Sequence, residues 1–305
     1  MTPIFVEKWP FDEDFPYHPI GSQPKQILIC PSDETDGRVV AGQTYIFKTA
    51  KRSWQANQLW SEMIASRLGQ NLGLTVPTCH VGLNQETGAL GVLMQSFIQG
   101  PTISRSRRLI HAKDMLARVL RDQKTGRPHS LQLNLWICRL LGARYGWSAV
   151  DWWAKTIAFD TLIGNSDRHP ENWGFLNEPE VGLTMAPLFD NGTSLGYEHN
   201  DSKIQGWGVR ELERYVSKGT HHCSWVLDAD KGTPHIDLCE ILVQANPEAG
   251  TSMQNMIRFG QSLVDDILQE CCSYSVDISF TPERAAFVRS LLGLRQERLG
   301  AILGG

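Results

Sequence analysis

Asp167, Asn172 and Asp190 have the side-chain types and spacing of groups that handle protons and metals. The first two lie in the tract Gly164-Asn165-Ser166-Asp167-Arg168-His169-Pro170-Glu171-Asn172, and Asp190 follows in Leu188-Phe189-Asp190-Asn191-Gly192. A carboxylate beside an acceptor hydroxyl, together with oxygen ligands that hold magnesium against phosphates, is most of what phosphoryl transfer asks of a protein. Asp167 suits the first role; Asn172 and Asp190 suit the second, as the metal pair. The same Asn-Ser-Asp followed by His-Pro also fits an ordinary turn after a helix, because Asn and Asp bond their own backbone and Pro stops a helix. His169 either orients Asp167 or the metal cluster, or packs as a loop histidine against Trp173.

The elements around these residues favour the chemical reading. Four residues separate Asp167 from Asn172, the separation between the base and the metal-binding Asn of a protein-kinase catalytic loop. Residues 173–176 form a short apolar run, 177–182 are turn-like and 183–189 form a second apolar run, which predicts a hairpin. Such a hairpin returns Asp190 to the neighbourhood of Asn172.

Upstream, the first hundred residues read as strands with one helix. Residues 26–30 and 39–48 form a predicted strand pair around a turn at 31–37, preceded by the polar loop Ile20-Gly21-Ser22-Gln23-Pro24-Lys25, placed to cover a phosphate. Lys48 ends the second strand among apolar neighbours, where an ammonium needs an anionic partner. A helix over about 54–72 puts Leu59, Trp60, Met63, Ile64 and Leu68 on one face with Glu62 beside it, so Glu62 can point inward and pair with Lys48. A further strand pair near 78–83 and 90–97 leads to a hinge at Gln99-Gly100-Pro101, and the backbone from Gln95 to Phe97 is placed to read an adenine edge.

The rest reads as mostly helical. Residues 102–108 form a basic connector carrying Arg105, Arg107 and Arg108, which suits solvent better than a grip on an acidic partner or phosphate. Helical patterns cover roughly 111–122, 130–143, 148–163, 253–270 and 282–302, with Ser148 and Thr281-Pro282 as start signals. The aromatics of these helices read as core. Residues 192–219 lack apolar periodicity and by position form an activation or substrate loop.

With 305 residues, 41% hydrophobic and 20% charged, the chain is an ordinary globular protein able to build two lobes. A net charge of −4 supplies no global reason for direct nucleic-acid binding. The first residues lack a basic end leading into an apolar core, and no membrane segment is evident; both predict a cytoplasmic protein. Seven scattered cysteines without a Cys-x-x-Cys pair read as free thiols. His221-His222-Cys223 with His235 and Cys239 is the one zinc-like grouping, and its first half lacks the paired spacing such sites use.

The chain resembles the HipA-like serine/threonine kinases, the toxin kinases of bacterial toxin-antitoxin modules and their relatives. Gly21-Ser22-Gln23-Pro24-Lys25 is similar to that family's phosphate loop, Lys48 to its ATP lysine, and Glu62 with the trailing Leu72-Gly73-Leu74-Thr75-Val76-Pro77 to its helix glutamate. Ile163 through Asn172 is similar to its catalytic loop and Leu188-Phe189-Asp190 to its metal motif, so the resemblance spans about residues 19–195. It implies an α+β, two-lobed protein-kinase-like fold with an N-lobe over 1–98 and a C-lobe over 99–305, in the short form without the family's extra N-terminal subdomain. It also implies ATP and Mg²⁺ as cofactors, a Ser/Thr acceptor on a protein substrate such as a translation component, autophosphorylation, and an antitoxin or small partner subunit. Asp190-Asn191-Gly192 is also similar to phosphatidylinositol kinases, which implies a lipid acceptor as the alternative. A nucleotide-binding pseudokinase or interaction module is a third class, against which the intact acidic set argues.

Overall fold

A computed structural model describes residues 1–15, 24–50, 55–104 and 106–304. The first part is a sheet: β1 (Ile4–Phe5), β2 (Lys25–Ile29), β3 (Thr44–Thr49), then helix α1 (Gln58–Asn71), β4 (Cys79–Asn84) and β5 (Ala89–Gln95), in spatial order β1-β4-β5-β3-β2. All pairings are antiparallel except β1 with β4. The expected strand pairs and the single helix are therefore present, and β1 is a strand that the sequence pattern did not reveal. Gly21, Ser22, Gln23, Trp54 and Arg105 lie outside the described residues.

Strand β3 is covered on both faces, and its period of two sorts its side chains between two cores. Tyr45 and Phe47 pack with Ile4, Val6, Trp9, Leu28 and Leu93 on one side. Ile46 faces the other core, where Leu59, Trp60, Met63 and Ile64 of α1 lie. Lys48, two residues on from Ile46, therefore points toward α1, and the alternation of Thr-Tyr-Ile-Phe-Lys aims the ammonium.

The second part follows in chain order as β6 (Arg108–His111), α2 (Ala112–Leu116), α3 (Leu131–Tyr145), α4 (Ala149–Ile163), β7 (Gly174–Glu178), β8 (Gly182–Met185), α5 (Asp201–Ile204), α6 (Val209–Lys218), α7 (His235–Ala245), α8 (Glu248–Met256), α9 (Gln261–Cys272) and α10 (Pro282–Ile302). Strands β6, β7 and β8 form a three-stranded sheet in that order, which contains the expected hairpin.

Several boundaries differ from the sequence reading. The helix expected over 111–122 is short, and residues 108–111 are instead an edge strand in which only Leu109 is buried; the ladder of β7 draws them in. The helix expected over 253–270 breaks between α8 and α9, where Gly260 stands at the N-cap in an extended conformation. Residues 192–219 carry α5 and α6; α6 sets Leu212, Tyr215 and Val216 against the core at helical spacing, a short pattern that the loop reading of this stretch passed over.

Helix α4 is the axis of this part. Ser148 caps it by accepting from the Asp151 N–H at 3.1 Å, and the same device at Thr281 starts α10. Trp153, Ile157 and Phe159 are fully buried, as expected for core aromatics. Phe159 and Ile163 join the core beneath α1, whereas Trp153, Ala154, Ile157 and Leu162 join a second core with α3, α7 and α8. Helix α1 in turn is backed by α9 and α10: Val264, Leu268, Phe287 and Leu291 share its core, Trp60 donates to the Ile278 carbonyl at 3.0 Å, and Arg67 grips Glu270 with two nitrogens.

All seven cysteines are free. Among the described residues no group of three or more His, Cys, Asp and Glu side chains can hold a metal: His221 meets His235 ring edge to face, while His222 turns to His129. No helix of the described residues is long and apolar enough to cross a membrane.

Four buried histidines have a thermodynamic consequence. Burial and the nearby guanidiniums of Arg67 and Arg38 lower His80 to about 4, burial and Arg127 lower His222 to about 3, and His129 and His235 lie well below the usual range. A base whose folded pKa is depressed contributes stability that is complete above its unfolded value of about 6.5 and is lost as pH falls below it. By about pH 5 His80 and His222 each cost on the order of 2 kcal/mol, and His129 and His235 act in the same direction. Thermal melting should therefore shift sharply downward between pH 7 and pH 5, and a flat melting temperature over that window contradicts this picture.

Candidate active site

Lys48 lies where the sheet, α1 and the β8 return meet. Its Nζ donates to Glu62 Oε1 at 3.3 Å and to Asp190 Oδ1 at 3.1 Å. Burial alone would depress this ammonium, but the carboxylates of Asp190 and Glu62 more than offset that and hold it above the ordinary lysine range. The second oxygen of Glu62 accepts from the Asn191 N–H at 3.0 Å, so one glutamate ties β3 to the segment after Asp190. The expected Lys48–Glu62 pair is thus joined by a third member that the sequence reading had assigned to metal alone. Asp190 adopts a left-handed backbone at φ 58°, a costly conformation for a residue other than glycine. Burial pushes its carboxyl upward, yet Lys48 and Lys25 draw it well below the usual range, so it is a fixed anion.

The loop carrying Asp167 begins where α4 ends. Gly164 caps α4 in the left-handed region at φ 67°, which favours glycine, and a Cβ there would displace the Arg295 guanidinium. Asn165 then fastens the turn, donating to Asp160 Oδ1 at 3.1 Å and accepting from the Asp167 N–H at 3.0 Å. Asn172 donates its amide N–H to the Asp167 carbonyl at 2.7 Å, which leaves its Oδ1 as the atom available for a cation. The hairpin returns as expected, with Phe175 opposite Met185 and the Ala186 N–H on the Gly174 carbonyl, so Asn172 and Asp190 line one cavity.

Arg168 ties these pieces together. Completely buried, it places Nε and Nη2 on the two oxygens of Asp160 at 3.0 and 2.7 Å and Nη1 on the carbonyls of Asn172 at 3.0 Å and Phe189 at 2.7 Å. Nη2 also reaches Asn191 Oδ1 at 2.6 Å. One planar side chain therefore holds Asn172 itself and both neighbours of Asp190. His221 donates from Nε2 to Asp160 at 3.0 Å, a tautomer fixed by the Cys223 N–H on its Nδ1. Despite complete burial, Asp160 stays ionised, its carboxyl held far below the normal range by Arg168 and His221.

Asp167 is the contrasting carboxylate. Burial raises its pKa, His169 and the Arg168 guanidinium oppose this, and Asp190 adds to it, so it ends above the usual value. His169 Nε2 stands 3.8 Å from Asp167 Oδ1, its Nδ1 accepts the Glu171 N–H, and its ring rests edge-on against His222 rather than Trp173.

These groups line a cavity of about 410 Å³. Its polar wall holds Lys25, Lys48, Glu62, Asp167, His169, Asn172 and Asp190; its apolar wall includes Ile46, Val92, Met94, Phe97 and Leu109. Lys25 stands opposite Lys48 in the β2–β3 ladder, and burial lowers its pKa. Gly91 also lines this wall, and a Cβ there would strike the Lys48 carbonyl of the neighbouring strand. The structure brings Phe97 to the cavity but not Gln95: the Gln95 N–H is spent on Thr78 O at 2.8 Å and the Ser96 N–H on Thr44 O at 2.9 Å. The roles missed by sequence reasoning belong to Arg168, Asn191 and Thr193; all three sit inside or beside the quoted motifs, but their partners are set by the tertiary fold. The donor set suits a nucleotide phosphate chain and a hard divalent cation, with oxygen ligands at Asn172 and Asp190 and ammonium groups at Lys48 and Lys25.

A sheet carrying a buried lysine, a helix glutamate, and a helical part bearing a carboxylate loop define a kinase-like fold. The chain belongs to the HipA-like C-terminal domain family, whose profile matches residues 19–264. Among solved structures it is similar to the Helicobacter pylori proinflammatory kinase CtkA, with a TM-score of 0.75, 18% identity, and coverage of 99% of this chain and 96% of that one. It is also similar to a chain of the Shewanella oneidensis toxin-antitoxin complex of HipA, HipB and operator DNA, with a TM-score of 0.57, 17% identity, and coverage of 97% of this chain and 68% of that one. No curated protein matches the sequence.

Breaking a fully buried ion pair by removing one partner costs about 3–5 kcal/mol, because the remaining charge is left without compensation. Arg168→Met should therefore destabilise the protein by that order in chemical denaturation, and Arg168→Met with Asp160→Leu should recover much of it. A single variant within about 1 kcal/mol of wild type contradicts the assignment.

Proposed function

We propose that this protein is an ATP- and Mg²⁺-dependent kinase that transfers the γ-phosphoryl group to a serine or threonine hydroxyl of a protein. The observation that carries the reading is the convergence of Lys48, Glu62 and Asp190 at 3.3 and 3.1 Å in the same cavity as Asp167 and Asn172. In this account Lys48, aimed by Ile46-side packing and held by Glu62, grips the nucleotide phosphates, and Lys25 adds a second positive charge. Asn172 Oδ1 and Asp190 hold the cation. Bound there, Mg²⁺ neutralises charge developing on the phosphate oxygens. Asp167 accepts or orients the acceptor proton, its raised pKa making it a better base than an ordinary carboxylate, and His169 orients it. Phe97 with the other apolar wall residues receives the base, and residues 1–98 and 99–305 act as the two lobes.

The same reading places the chain in the cytoplasm as the kinase of a toxin-antitoxin module, with an antitoxin or small subunit as partner and a translation component as substrate. Support for the partner is the likeness to HipA, which was solved with HipB.

Asp167→Ala should lower phosphoryl transfer by about 10²–10⁴-fold while nucleotide binding persists. A phosphoproteomic comparison of cells expressing wild type and Asp167→Ala should then name the acceptor; label entering an inositol lipid instead of protein would move the assignment to the lipid kinases. Because Asp167 must be ionised, wild-type transfer should fall as pH drops through its raised pKa. Activity of Asp167→Ala equal to wild type would sink the reading.

A further inference from the structure

The backbone placed to read a nucleotide base is already occupied by the protein's own groups. Residues 95–99 leave β5 beside the apolar cavity wall of Val92, Met94, Phe97, Ile98 and Leu109. Of their N–H groups, that of Gln95 donates to Thr78 O at 2.8 Å and that of Ser96 to Thr44 O at 2.9 Å, while those of Ile98 and Gln99 both donate to the buried Ser96 Oγ, at 3.2 and 3.1 Å. The carbonyls are claimed as well. The buried Gln43 amide donates to those of Ser96 at 3.0 Å and Gln99 at 2.9 Å. Arg107, gripped by both oxygens of Glu178 at 3.1 Å, donates to that of Phe97 at 3.1 Å. Among the described residues, the Phe97 N–H is the donor of this stretch that meets no protein acceptor.

We infer that the cavity admits adenine and guanine nucleotides alike, with Ser96 as the residue that removes base selectivity; this rests on the phosphotransfer reading above. The two purines have the same bicyclic shape and differ in the order of groups along one edge. Adenine sets an acceptor ring nitrogen beside a donor amine, whereas guanine sets an acceptor oxygen beside a donor ring nitrogen. Telling them apart takes a donor and an acceptor in fixed order. Ser96 Oγ removes the two N–H groups nearest the Phe97 carbonyl, and Arg107 sits on that carbonyl. A lone N–H serves the ring nitrogen of adenine or the oxygen of guanine equally well. His111 and Asp114 also line the cavity; His111 donates from Nδ1 to the Glu171 carbonyl at 2.8 Å, so its Nε2 is an acceptor like the Asp114 carboxylate, and each purine carries an amine for such an acceptor. What remains is apolar contact. A site that reads a partner through hydrogen bonds rejects the wrong one by about 10⁴–10⁵-fold, and an apolar pocket separates near-isosteres by only about 10²-fold or less.

Displacement of a ribose-labelled fluorescent ADP from the full chain in Mg²⁺ tests this, with ATP, GTP and CTP as competitors. GTP should compete within about tenfold of ATP, the span of one neutral hydrogen bond. CTP, whose single ring covers less of the apolar wall, should compete more weakly than either purine. Ser96→Ala returns two N–H groups to the stretch and should widen the gap between ATP and GTP. A wild-type preference well above tenfold overturns the inference and leaves the kinase reading standing, and CTP competing as well as the purines overturns the assignment of the base to this wall. An unchanged gap in Ser96→Ala overturns the role of Ser96. A chain that binds neither the labelled ADP nor any of the three triphosphates takes the kinase reading down with it.

Discussion

The buried guanidinium of Arg168 is the constraint on which the site's geometry depends. A charge with no access to water must find its partners inside the fold, and Arg168 finds five acceptor atoms on four residues: both oxygens of Asp160, the carbonyls of Asn172 and Phe189, and Asn191 Oδ1. Such a pair adds little net stability compared with a well-packed apolar replacement, but its geometry is unforgiving. Moving either carbonyl away would strand a buried donor at a cost of about 1–3 kcal/mol. The two segments that carry Asn172 and Asp190 are thereby locked to each other, and under the kinase reading that rigidity would supply the preorganisation electrostatic catalysis relies on.

The sheet side is fixed by different physics. Glu62 owes its position to the packing of α1 rather than to its ion pair. Trp60 and Met63 on that helix are completely buried, and Arg67 fastens its far end to Glu270 on α9. The C-terminal helices α9 and α10 thus stand behind a residue that faces the cavity from the opposite side of α1. Lys48 then bridges the two halves, with Glu62 on one hand and Asp190 on the other. Under the kinase reading a phosphate entering the cavity would meet an ammonium already paired with two carboxylates, and the left-handed backbone of Asp190 is strain held in place by those contacts.

Much of this was legible in the sequence because local rules suffice for it. Alternation in Thr44 to Lys48 aims Lys48, helical periodicity aims Glu62, and a turn between two apolar runs brings Asp190 back to Asn172. What escaped was decided by tertiary partners. Arg168 reads as one more loop residue until Asp160, eight positions earlier on α4, is seen to face it. Strand β6 has a single buried residue and exists through pairing with β7, so it imprints no pattern, whereas α6 does carry Leu212, Tyr215 and Val216 at helical spacing, a signal short enough to be lost among the glycines before it. Gln95 sat at a plausible position for reading a base edge, but the sheet claims its N–H for Thr78. The break before α9 is marked by a lone Gly260, a signal too weak to interrupt an otherwise periodic run.

The central claim is that one cavity holds a nucleotide phosphate chain at Lys48 and a divalent cation at Asn172 and Asp190. The most direct measurement is a crystal structure of the protein with Mn²⁺ and a non-hydrolysable ATP analogue, with the cation located by its anomalous scattering. The account predicts a peak bonded to Asn172 Oδ1 and an Asp190 oxygen, with the phosphates against Lys48 Nζ. A nucleotide bound elsewhere, or a cation that leaves both residues uncoordinated, contradicts it.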